Sequence, residues 1–153
     1  LTCRTMAGEG RPDALSVIAF SGGFDRVHYA LVLASAAAAI GTRTTVFFTM
    51  AATRALLRTD HDDGSGWRAM PPGEAPGTDG GAVNDAFAAR GVATFEELLA
   101  ACVAMGVRFL VCEMGLRAMG LTRADLRDDV PLEEGGVVTM LNDASATGSM
   151  VFV

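Results

Sequence analysis

Three cysteines, Cys3, Cys102 and Cys112, are the residues of this 153-residue chain with the most chemistry to offer, and their settings differ. Cys112 follows the apolar run Val107–Val111 and precedes a helical pattern, so it stands where a buried strand turns into a helix. A thiol there lies beside free backbone N–H groups and the positive end of a helix dipole. Both favour thiolate, and comparable settings bring a cysteine pKa down to roughly 3.5–7.5. That is the electronic requirement for a nucleophile that accepts sulfane sulfur as a persulfide. Burial among apolar neighbours and the charge of Glu113 act in the opposite direction. The plainer account makes Cys112 a small hydrophobe closing the end of a strand, a common use of free cysteine. Cys102 falls inside a predicted helix and is assigned to packing, and Cys3 lies in a polar tail and is incidental.

In an open α/β sheet, sites form in the crevice beyond the carboxyl ends of the strands. Three segments meet that description: Ser21-Gly22-Gly23 with Asp25, then Thr49-Met50, then Cys112-Glu113-Met114. The Ser-Gly-Gly turn lacks the spacing of a dinucleotide fingerprint or a P-loop. It serves either as a steric necessity or as a pocket wall whose N–H groups face an anionic sulfur species. Asp25 is expected to cap the following helix rather than to act on a substrate. His28, in that helix, could be imagined as a base for Cys112, although a lone histidine on an apolar helix is more often buried and hydrogen-bonded. The run Asp60-His61-Asp62-Asp63 could hold a divalent ion weakly, but no second ligand cluster supports it, so a solvated loop is expected. No metal site and no cofactor are expected. Met114 and Met119 are assigned to the core, with Met114 shielding the thiol.

The elements that must position these residues alternate between strand and helix. Ala14–Phe20 is a short apolar run bounded by the glycine turn, and it predicts a buried strand. A helix from about Arg26 to Ile40 follows, apolar nearly all round, closed by Gly41. Such a helix needs cover on most sides, from the sheet and from a neighbouring subunit. Thr44–Thr49 is rich in β-formers and predicts the second strand, with a short helix over Met50–Leu57. Residues 58–81 hold three of the five prolines and the only tryptophan without periodicity, which predicts a long surface loop. Short helices are expected over Ala82–Arg90 and Met114–Met119. Thr94-Phe95-Glu96-Glu97 has the form of a capping box opening a helix to about Met105, ahead of the strand Val107–Val111. Thr122 with Asp125 is a second possible cap. A fourth strand is expected at Asp129–Leu132, a helix over residues 136–147 and a fifth strand at Met150–Val153. The fold class is therefore α/β: one three-layer α/β/α domain around a mainly parallel five-stranded sheet.

Composition bounds the rest. Half the residues are hydrophobic but only 7% are aromatic, so Ala, Val, Leu, Ile and Met must build the core. All twelve basic residues are Arg, which removes Schiff-base lysine chemistry. A net charge of −6 with no arginine cluster argues against nucleic acid as a partner. The longest apolar stretch, Tyr29–Ile40, is too short for a membrane span of roughly 20 residues. The odd cysteine count and the polar, charged stretch Leu1–Asp13 point to a reduced, cytoplasmic protein, and a start at Leu leaves the true N-terminus open.

Phe20-Ser21-Gly22-Gly23-Phe24-Asp25-Arg26-Val27, the Ala-rich helix after it and Thr45-Val46-Phe47-Phe48-Thr49 resemble the N-terminal half of the DsrE/DsrF-like sulfur-relay proteins. Gly91-Val92-Ala93-Thr94-Phe95-Glu96-Glu97-Leu98 and Val111-Cys112-Glu113-Met114-Gly115-Leu116-Arg117-Ala118-Met119-Gly120-Leu121 resemble their C-terminal half. The resemblance runs from Ala14 to Val153 apart from residues 58–81, and Cys-x-Met-x-x-x-x-Met-Gly-Leu is its more specific piece. It implies a parallel-sheet domain that assembles into oligomers, homo-oligomers being expected here. It also implies a cysteine, matching Cys112, that carries persulfide sulfur from a donor to an acceptor protein thiol. Gly115 stands where the commoner pattern has Ser, which removes a hydroxyl near the thiol. Two other readings stay open: a non-catalytic module binding a small molecule or anion in the same crevice, and a thiol peroxidase-like activity needing a resolving cysteine.

Overall fold

The computed structural model describes residues 10–58 and 66–153. Five strands, β1 (Ala14–Ala19), β2 (Arg43–Phe48), β3 (Arg108–Cys112), β4 (Leu132–Gly135) and β5 (Ser149–Phe152), form one sheet in the order β4-β3-β2-β1-β5. Every pairing is parallel. Parallel strands demand cover on both faces, and period-two alternation divides the residues between them. Val17, Ala19, Val46, Phe48, Phe109 and Val111 share the main core with helices α1 (Phe24–Ala39) and α3 (Phe95–Ala104). Ile18, Phe47, Leu110 and Cys112 face the other way and meet Met140 of the short helix α5 (Val137–Asp143).

Helix α1 is not covered all round. It buries Phe24, Val27, His28, Ala30, Leu31 and Ala34, one stripe at helical spacing, and leaves Tyr29 and Ile40 exposed. The alanines on its outer side are small rather than buried. Helix α3 starts on the expected capping box: Thr94 Oγ1 accepts from the Glu97 N–H at 3.3 Å, and Glu97 Oε2 accepts from the Thr94 N–H at 2.7 Å. Thr122 and Asp125 close the same kind of box around a single 3₁₀ turn.

Several boundaries moved. The short helix expected over Met50–Leu57 is present as a 3₁₀ helix, Met50–Leu56. The fourth strand begins at Leu132, three residues after the expected start at Asp129, because Pro131 precedes it and its own Glu133 and Glu134 carry no apolar alternation. Those acids sit on an edge strand, where charge protects the unpaired rim. Helix α5 stops at Asp143, before the expected residue 147, because the Asp143 side chain turns back onto β2 and β3. Within the stretch 58–81, Trp67 and Met70 are buried rather than superficial. The Trp67 indole stacks on Phe95 at 5.1 Å and donates to Glu96 Oε1 at 2.8 Å, while Met70 O accepts from the first N–H of α2 (Gly80–Ala89) at 2.8 Å.

Candidate functional site

Cys112 is the last residue of β3 and the N-cap of α4 (Glu113–Ala118). Its Sγ accepts the Gly115 N–H at 3.4 Å, so the thiol is tied to the helix it opens. The residue is only 1% exposed, walled by Phe47, Leu110 and Met140 with Ile18 alongside. Glu113 and Met114 begin α4 on its outer side. Met114 is 60% exposed and Met119 half-buried, so neither is a core residue, and the methionine that shares the buried cluster of Cys112 is Met140.

The ends of the three central strands are brought into contact by close backbone approaches. A β-carbon at Gly115 would lie 2.6 Å from Met50 N and 2.7 Å from Thr49 Oγ1. Only glycine lets α4 pack this tightly on the end of β2. The serine of the commoner pattern has no room here, and the Thr49 hydroxyl occupies the neighbouring space. Met50 has φ of 50°, the one non-glycine residue with positive φ among the described residues. A left-handed methionine costs on the order of 1 kcal/mol and persists only where surrounding structure imposes it. On the β1 side, a β-carbon at Gly22 would lie 2.9 Å from Ala51 Cβ, which brings the Ser-Gly-Gly turn onto the same junction.

The cavity at the turn does not reach the thiol. A cavity of about 510 Å³ is lined by Phe20, Ser21, Gly22, Met50 and Met119 together with Arg26, but not by Cys112. Four amides between Ser21 and Asp25 already donate within the protein. The Ser21 N–H goes to Val153 O, Gly23 to Ser21 Oγ, Phe24 to Pro71 O and Asp25 to Pro72 O. The turn therefore directs most of its donors to Val153, to its own Ser21 and to the 66–81 segment, and the cavity's cationic side chain is Arg26, whose Nη2 lies 4.0 Å from Glu74 Oε1. Asp25 is not the N-cap of α1, because that position is Gly23. Its carboxylate accepts from the Arg26 and Glu74 N–H groups at 2.8 and 2.9 Å and clamps the 66–81 segment.

His28 lies on the opposite side of the sheet from Cys112. Its Nε2 is 2.8 Å from Ala93 O and its ring packs on Phe87 and Phe24, which makes it a core histidine rather than a base for the thiol. Cys102 is buried in α3 with Sγ 3.8 Å from Leu31 O, and burial pushes its pKa up to about 11. Burial and the raised pKa both disfavour the thiolate there. Cys3 and the Asp60-His61-Asp62-Asp63 run lie outside the described residues.

Sequence reading missed Arg26, Phe152, Met140 and Asp143 as neighbours of the site. Arg26 directly follows the glycine turn, which is a usable signal. The others approach only through sheet order, because β5 pairs with β1 and α5 crosses the face below Cys112.

The profile of the DsrE/DsrF-like family matches residues 17–147, which takes in the ends of β1, β2 and β3 but not β5. The chain belongs to this family. Among solved structures, the DsrE-like fold recurs in the ychN protein from E. coli, with a TM-score of 0.54 and 16% identity over 92% of this chain and 98% of that one. A protein of unknown function, MTH1491 from Methanobacterium thermoautotrophicum, aligns with a TM-score of 0.49 and 16% identity over 92% of this chain and 99% of that one. No curated protein matches by sequence. Among the described residues, no helix is long and apolar enough to cross a membrane.

Proposed function

We propose that this DsrE/DsrF-like protein is a sulfur carrier in which Cys112 holds sulfane sulfur as a persulfide. The observation that carries the reading is the placement of Cys112 in a family associated with sulfur relay. Its sulfur caps a helix at a strand end and receives an amide hydrogen bond. In the loading step the Cys112 thiolate attacks the outer sulfur of a persulfide donor. The donor's S–S bond breaks and its thiolate leaves with the electron pair. In the unloading step an acceptor protein's thiolate attacks the outer sulfur and Cys112 leaves as thiolate, so no external oxidant or reductant is consumed. Because both steps need free thiols, a reducing compartment such as the cytoplasm fits the reading.

The exposed Phe20, Met150 and Phe152 form an apolar edge beside β1 and β5, with Phe20 and Phe152 in contact at 5.3 Å. We assign that edge to a second copy of the chain in a homo-oligomer, to be checked by light scattering. The transfer test compares wild type with Cys112→Ser, following labelled sulfane sulfur from donor to acceptor. Transfer should vanish in the variant, and transfer at the wild-type rate would end the carrier reading.

A second reading is favoured by one observation: the roughly 510 Å³ cavity with apolar walls and Arg26 suits a small apolar anion. On that reading thermal protection by such a ligand depends on Arg26 and not on Cys112.

A further inference from the structure

The thiol that the proposed function requires is closed off, and the structure shows how it is closed. Phe47 and Leu110 belong to β2 and β3, which are paired on both sides, so neither can withdraw without breaking the sheet. Met140 differs. It is the only buried residue of the seven in α5, whose Val137, Val138 and Leu141 are exposed. A helix of that length has little stability of its own in water, so its position depends on what docks it.

Two features dock it. At its start, Gly135 and Gly136 join it to β4 directly beside Cys112, since Gly135 pairs with Cys112 in the sheet. Two glycines in succession can absorb a large change in backbone direction. At its far end the Asp143 side chain is 11% exposed and accepts three bonds from the sheet. Thr45 Oγ1 donates at 2.6 Å, Arg108 Nη1 at 2.7 Å and Arg43 Nη1 at 3.3 Å, while Arg43 Nη2 also reaches Asp143 O at 3.0 Å. Arg108 is held in place from its other side by Glu133 at 2.8 Å.

We propose that α5 is a gate over Cys112, hinged at Gly135-Gly136, covering the sulfur with Met140 and latched by Asp143 to Arg108, Arg43 and Thr45. Opening is a local event in which α5 lifts while the sheet and the α1–α3 side stay folded. The gate gives the sulfur-carrier reading a way to keep a loaded thiol from water and stray thiols until α5 is displaced. It rests on that reading for its purpose but not for its test.

The test is the rate of alkylation by iodoacetamide under native conditions, assigned to each cysteine by mass spectrometry in the full chain. Cys102, buried on the other side of the sheet, reports global unfolding in the same sample. Asp143→Asn should raise the Cys112 rate about tenfold or more, the loss expected for charge-assisted bonds in a part-buried site, with Cys102 unchanged. Met140→Ala should raise it independently with the latch intact. In wild type, the α5 amides should exchange hydrogen faster than those of β3 and α3. The gate is refuted if Cys112 and Cys102 react together in wild type. It is equally refuted if Asp143→Asn leaves the Cys112 rate unchanged, or if α5 is as protected as β3. Failure of Cys112 to accept sulfur, with these results obtained, would remove the carrier reading and leave the gate standing.

Discussion

At the scale of single residues, the chemistry turns on how closely a few atoms approach. Gly115 lets α4 rest on Thr49 and Met50, and through its N–H it holds the Cys112 sulfur. Gly115→Ser should therefore lower stability by about 1–3 kcal/mol, the usual cost of forcing atoms into a filled site, read as a fall in the urea midpoint. The added hydroxyl should not restore anything near the thiol, because its β-carbon meets the Met50 backbone first. An unchanged midpoint would mean that α4 shifts freely. Cys112 was legible because a thiol directly after an apolar run is a local pattern. Its burial was not, since Met140, which shares its buried cluster, comes from a helix 28 residues further along, and only tertiary packing brings the two into one cluster.

Among the elements, α3 is the one whose local rules and global role agree most fully. Its capping box satisfies end groups at both positions, so Thr94→Ala should cost about 1 kcal/mol, measured by thermal or chemical unfolding. No measurable loss would show that tertiary packing alone holds the end of the helix. Alternation of apolar runs with helical spacing made the first three strands and α1 visible within a residue or two. Strand β4 was displaced because an exposed, acidic edge strand carries none of the apolar signal on which such reading depends. Trp67 and Met70 were hidden for a related reason. Each enters the core singly from an irregular segment, where there is no period to detect.

For the molecule as a whole, the parallel sheet assigns its two faces to different tasks. One carries the large core with α1 and α3, and the other carries the thiol in a cluster to which, among the described residues, only the short helix α5 contributes from outside the sheet. The ion-pair cluster at the far end of that helix makes its docking sensitive to acid. Burial disfavours the Asp143 carboxylate, but the bonds from Thr45 and Arg108 and the charges of Arg108 and Arg43 outweigh it and hold the pKa below the usual aspartate range. A depressed folded pKa contributes stability that is fully present above the unfolded value and is lost as pH falls through the folded one. Glu133, beyond Arg108, is also held below the usual glutamate range by that arginine and reinforces the same trend. Melting temperature should therefore drop on acidification below the ordinary aspartate range, and Asp143→Asn should flatten part of that drop. Parallel pH profiles for the two proteins would show that the latch does not contribute.

The measurement closest to the central claim is site-resolved mass spectrometry of the intact protein after incubation with a persulfide donor. A sulfur carrier gains one sulfur atom on Cys112, none on Cys102, and loses it again on addition of an acceptor thiol. If no sulfur is found on Cys112 under conditions in which alkylation reaches it, Cys112 is a packing residue and the carrier function is wrong.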